Sequence, residues 1–176
     1  MSKQEDVVFP HLEKHPIIDL SAYISGSAIV IGNVAIGPDT SVWYGCVIRG
    51  DVGRIVIGSR CNIQDGTVIH VSSNGTPTII GDDVTVGHSA VLHSCTVQSD
   101  AFVGIGAIAL DGAVIESEGL LAAGAVLAPN KIVGKGELWA GNPARFVRHL
   151  RENELCSMKL NARRYVALAH TYAEKF

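Results

Sequence analysis

The chain has 176 residues, a formal net charge of −3 and an apolar fraction of 47 %, with 19 glycines. That length suits one domain with a core of its own, and the slight acidity, with no one-sided basic block before the C-terminal segment, excludes a nucleic-acid binder. No apolar run is long enough to span a membrane, and the charged start MSKQEDVVFPHLEKHP has no signal-peptide core, so a cytoplasmic protein is expected.

Residues 1–22 read as an extension leading into a repeat. From Ile24 an apolar residue returns every six positions, at Val30, Ile36, Val42 and Ile48. The pattern resumes at Ile57, Ile63 and Ile69, again at Ile80, Val86 and Leu92, and then at Val97, Val103, Ala109, Ile115, Leu121, Leu127, Val133 and Trp139. Glycine often follows, as in IGPDTS, IGSRCN, IGDDVT and VGHSAV. Helices have no period of six, and so much glycine and β-branching disfavours them; short strands closed by turns fit. A six-residue unit cannot bury an apolar face alone. Stacked in threes as the sides of a triangular coil, such units bury the repeating residues along one axis, with successive coils about 4.8 Å apart. The nineteen units predict roughly six coils over residues 1–143, an all-β solenoid of the parallel β-helix type.

Three breaks in the period predict loops or bulges: three residues added between Ile48 and Ile57, five between Ile69 and Ile80 (the loop SSNGTPT, 72–78), and one dropped between Leu92 and Val97. After GNPAR (141–145) the spacing becomes helical, from Phe146, Val147 and Leu150 to Tyr172. Residues 144–176 are therefore expected to form one or two helices packed on the coil, with Arg145, Arg148, Arg151, Arg163 and Arg164 on a solvated face. The four cysteines (46, 61, 95 and 156) form no Cys-x-x-Cys pair and read as small buried side chains in a reducing compartment.

The repeat turns three histidine positions into geometry. His70 follows Ile69 and His93 follows Leu92; their separation of 23 is one 18-residue coil plus the five-residue insertion, so the two imidazoles stack on one face and can share a metal. Arg49 follows Ile48 in the same column one coil earlier, and Asp51 lies two residues on. His88 belongs to the preceding face, with Asp65 in its place one coil below and Gln64 beside it. The simplest third ligand for the His70–His93 column is therefore the His88 of a neighbouring copy, whose Gln64–Asp65–His88 face presses on the column. Repeated around an axis, that contact closes most economically into a homotrimer with a metal at each boundary. His11, His15, His149 and His170 read as surface or turn residues.

The segments SVWYGCVIRGD (41–51), NIQDGTVIH (62–70) and VGHSAVLHSC (86–95) occur together here with the closing GNPAR, and the chain resembles the γ-class carbonic anhydrases over nearly its whole length. The resemblance implies a left-handed coil, a trimer, and zinc (ferrous iron in some members) held by His70, His88 and His93. It also places Arg49, Asp51, Asn62, Gln64 and Asp65 at the site, Gln64 to hold the hydroxide or substrate oxygen and Arg49 to orient bicarbonate or lock the boundary. Three neutral imidazoles on a divalent ion supply hydroxide near neutral pH, which suits hydration of CO₂ to bicarbonate. Family members also bring a tyrosine or asparagine from the C-terminal part towards the metal; Asn161 and Tyr165 are the candidates.

One departure stands out. Highly active members carry acidic loop residues that pass the proton to buffer, whereas the loops here are VGR after Asp51 and VSSNGTP after His70, so turnover is expected to be slow. Two other readings compete: a catalytically silent zinc trimer that serves as a protein-interaction scaffold, and a hexapeptide acyltransferase, which needs one basic histidine and a pantetheine channel between coils.

Overall fold

The computed structural model describes residues 11, 13–73 and 76–175. Residues 1–10 and 12 of the expected extension, and 74 and 75 of the expected loop, lie outside the described residues. The chain winds about seven turns of a left-handed parallel β-helix and ends in one helix, α1 (Glu152–Lys175). Short strands, mostly of two or three residues, stack in parallel into three faces.

On the first face Ile24, Val42, Ile63, Val86, Val103, Leu121 and Trp139 lie one above another. The second carries Val30, Ile48, Ile69, Leu92, Ala109 and Leu127. The third carries Ile36, Ile57, Ile80, Val97, Ile115 and Val133. From Val42 to Val133 the inward residues are almost fully buried, as a side-chain period of two within each short strand requires once one residue points at the axis. The stack begins earlier than the sequence reading placed it. Ile17–Ile18 is already a strand, with Ile18 opposite Ile36, and Ile18 stands one period before Ile24.

The corners demand left-handed backbone, which short polar residues accept: Asp39, Asp83, Asp100 and Asn130 have φ between 56° and 63°. The first insertion becomes a bulge inside a continuous strand, Val47–Ile57, rather than a loop. Gly32 and Gly50 face each other there, and a Cβ on Gly32 (φ 80°) would lie 2.4 Å from the Gly50 carbonyl oxygen. Only paired glycines let the two backbones approach so closely, and the bulge they permit re-aims Asp51.

The C-terminal segment corrects the sequence reading. Ala144–His149 is a strand, antiparallel to Glu137–Gly141, and the helix starts only at Glu152. The last coil would otherwise end in an open edge of unpaired backbone groups, and the returning strand pairs it. Glu154 accepts the backbone N–H of Arg151 and binds the Arg148 guanidinium, which caps the helix at that point. Helix α1 lies along the first face, burying Met158, Ala162 and Ala169. Tyr23, Trp43, Tyr165 and Tyr172 pack edge-on or tilted at ring separations of 5.1–6.1 Å. Cys46, Cys61 and Cys95 are buried thiols, but Cys156 is exposed, because it falls outside the stripe that α1 turns to the coil. Among the described residues no helix is long and apolar enough to cross a membrane.

Candidate metal centre

His70 and His93 end the strands Val68–His70 and Val91–His93, which pair in register with Ile69 opposite Leu92. Burying those two apolar residues forces both imidazoles outward at the same corner. Nδ1 of His70 lies 3.2 Å from Nε2 of His93. The other nitrogen of each ring meets a carboxylate: His70 Nε2 is 2.9 Å from Asp51 Oδ1, and His93 Nδ1 is 2.6 Å from Asp111 Oδ1. The Arg49 guanidinium donates to the second oxygen of Asp51, and the Ser72 hydroxyl donates to the second oxygen of Asp111.

Burial pushes the Asp51 carboxyl up, but the hydrogen bonds from His70 and Arg49 outweigh it and hold it below the ordinary value. Hydrogen bonds from Ser72 and then His93 hold Asp111 low as well. Both are carboxylates at neutral pH and accept N–H protons. A neutral imidazole has one N–H, and a carboxylate behind each ring favours that N–H on the nitrogen it faces. With each ring's one N–H on its carboxylate, the facing nitrogens of His70 and His93 both present lone pairs.

His88 stands apart on the corner that follows the first face, with Nδ1 2.9 Å from Asp65 Oδ2. Beside it a buried chain of amides orients Gln64: its Nε2 donates to Asn62 Oδ1, and Asn62 Nδ2 donates to Thr85 Oγ1. Asn161 reaches the same Thr85 oxygen from α1 at 3.1 Å. One N–H of the Gln64 NH₂ group goes to Asn62, which fixes the amide and leaves the carbonyl oxygen of Gln64 to accept. Tyr165, one helical turn after Asn161, packs on Trp43; burial, and after it the charge of Asp65, raises its hydroxyl pKa.

The structure thus joins Arg49, Asp51, His70 and His93 in one group, and Asn62 and Gln64 with Asn161 in a second. His88 and Asp65 form a separate pair. Among the described residues of a single chain no three His, Cys, Asp or Glu side chains converge as a metal site. Asp111 and Thr85 were missed by sequence reasoning. The arithmetic that paired the histidines puts Leu110 one coil beyond His93, because the dropped residue shortens that coil to 17. Asp111 thus stands one place past the column, and spacing gave no signal for it.

No family model matches the chain. Among curated relatives, γ carbonic anhydrase 2, mitochondrial, of Arabidopsis thaliana is 48 % identical over 93 % of this chain, which spans only 60 % of that protein's length. A carbonic anhydrase of Geobacillus kaustophilus is 42 % identical, covering 94 % of this chain and 91 % of its own. A protein of Methanocaldococcus jannaschii named a probable carbonic anhydrase is 45 % identical over 88 % of this chain and 97 % of its own. A crystal structure of a hexapeptide transferase family protein from Anaplasma phagocytophilum superposes with a TM-score of 0.86 at 48 % identity, over 89 % of this chain and 92 % of that one. Relatives aligned over nearly their whole length and a shared coil leave one conclusion: the chain belongs to the γ-carbonic anhydrase family of hexapeptide-repeat proteins.

Proposed function

We propose that this protein is a zinc-dependent carbonic anhydrase that interconverts CO₂ and bicarbonate as a homotrimer, with each site shared between two copies. The observation that carries the reading is the pair of facing ring nitrogens of His70 and His93. Two donors on one tetrahedral zinc ion, with bonds of about 2.0–2.1 Å, lie about 3.3 Å apart; the observed 3.2 Å fits. His70 and His93 would hold the ion from one chain and His88 from a neighbouring copy. Ferrous iron would suit the same imidazoles. An ion held by three neutral imidazoles brings the pKa of water to about 7, which supplies hydroxide at neutral pH.

The chain's own groups have distinct tasks. The Gln64 carbonyl oxygen accepts a hydrogen bond from the reacting water or from bicarbonate. Arg49, half exposed and anchored on Asp51, keeps N–H groups free to donate to bicarbonate oxygens. Asp51 and Asp111 sit below their ordinary pKa and are committed to the histidines, so they are poor acceptors for a travelling proton. Proton removal therefore falls to buffer. An acyltransferase reading is less well served, because it needs a single basic histidine, whereas here two imidazoles turn nitrogens towards one point, 3.2 Å apart. Three buried free thiols suit a reducing compartment such as the cytoplasm, where we place the protein.

Stopped-flow CO₂ hydration by the zinc-loaded protein is expected to speed up with buffer concentration and to fall to background in His93→Ala. No rate above that variant, with zinc confirmed in the sample, would sink the catalytic reading. The lack of a carboxylate proton carrier favours one second reading, a zinc-clipped trimer that presents its surface to another protein. Chelation separates the two: a clip loses its trimer when zinc is removed, whereas a catalytic site loses its rate and keeps the trimer.

A further inference from the structure

We propose that Asp111 is a positioning residue that selects the tautomer of His93, and so decides which nitrogen that ring offers to a metal; the inference rests on the metal-centre reading above. An imidazole free in water exchanges its single N–H between Nδ1 and Nε2. His93 cannot do so without loss. Its Nδ1 lies 2.6 Å from Asp111 Oδ1, and the carboxylate accepts a proton there but has none to donate. The proton is pinned on Nδ1, and the lone pair is fixed on Nε2, the nitrogen that faces His70 at 3.2 Å. Asp51 does the mirror-image task for His70 through Nε2, leaving Nδ1 as the open donor. The two rings therefore present unlike nitrogens to one point, an arrangement the coil register alone does not specify. A carboxylate behind a ligating imidazole both fixes its orientation and strengthens it as a donor.

The support for Asp111 is itself built. Ser72 holds the second carboxylate oxygen, and the Ser72 backbone N–H donates to Ser94 Oγ at 2.7 Å. Ser94 is fully buried and donates in turn to the carbonyl of Thr76. The five-residue insertion after Ile69 is thus tied down at both ends against the coil that carries His93, with its first serine against Asp111. The loop without a glutamate has a task of its own: it braces the carboxylate that braces the ligand.

Two measurements on Asp111→Ala test this. In the zinc-free protein, nitrogen-15 correlation spectra of labelled histidines are expected to show the His93 proton on Nδ1 in the wild type and largely moved to Nε2 in the variant. Zinc affinity, from competition with a chromophoric chelator, is expected to weaken about 10- to 100-fold. Ser72→Ala, which leaves the His93–Asp111 bond in place, is expected to give a smaller loss. Matching circular dichroism and melting of the zinc-free proteins guards against a merely unfolded variant, and if Asp111→Ala does not fold, the same two measurements on Asp111→Leu, which fills the space without an acceptor, decide. An unmoved tautomer, or wild-type and variant binding zinc equally tightly, overturns the role of Asp111 and leaves the proposed function standing. No zinc binding by the wild type overturns both.

Discussion

Co-assembly of His88→Ala chains with His93→Ala chains is expected to restore CO₂ hydration that neither variant shows alone. The first variant keeps its His70–His93 pair with the Asp51 and Asp111 carboxylates behind it; the second keeps its His88–Asp65 corner. At a boundary between one of each, in the right order, every ligand is present. In the proposed trimer, a mixture of two chains of one variant and one of the other has every ligand at one boundary in three, so tandem-purified mixed trimers return about a third of the wild-type rate. Co-expression with two affinity tags, tandem purification and stopped-flow assay check this. Mixed trimers without recovered rate would mean that His88 is not a ligand, or that each chain completes its own site. The prediction follows from placement: within one chain the corner and the pair lie on different edges of the triangle, and the described residues offer no local third ligand.

A core substitution should have the largest effect on stability. Ile69 is fully buried, stacked between Ile48 below and Leu92 above, and its carbonyl-side neighbour is His70. Replacing it by Ala removes several methyl and methylene groups from a column whose spacing is set by backbone hydrogen bonds, so the coil cannot close over the gap. Such truncations cost about 2–5 kcal/mol, and the rigid spacing argues for the upper part of that range. For a chain of this size that is a fall of roughly 10 °C in melting temperature. Ile132→Ala, at an exposed position on the third face, should stay within about 0.5 kcal/mol of wild type. Thermal and denaturant unfolding of the two variants side by side gives the comparison. A loss at Ile69 no greater than at Ile132 would mean that the coil interior relaxes around a cavity as a looser core would.

Some errors of the sequence reading share a cause. Phe146 and Val147 looked helical because a few apolar residues before a true helix fit either period, and only the open edge at Glu137–Gly141 makes a strand the better partner. Cys156 looked buried because composition says nothing about which side of α1 faces the coil. Ile18, by contrast, was legible: it is in period with Ile24 and was passed over as part of an extension.

The amino-acid sequence by itself determined the coil and its register. A backbone that alternates sides every residue and turns a corner every sixth makes position a matter of counting, so His70 over His93, and His88 over Asp65, follow from spacings of one turn plus a known insertion. The tertiary structure alone decided what those side chains do with their nitrogens and oxygens. Whether His93 turns Nδ1 to Asp111, whether Gln64 donates to Asn62, and whether Asn161 meets Thr85 depend on side-chain torsions and on how a helix is seated over a face. Torsions and seating have no period in the sequence, because they are settled by packing among residues far apart along the chain.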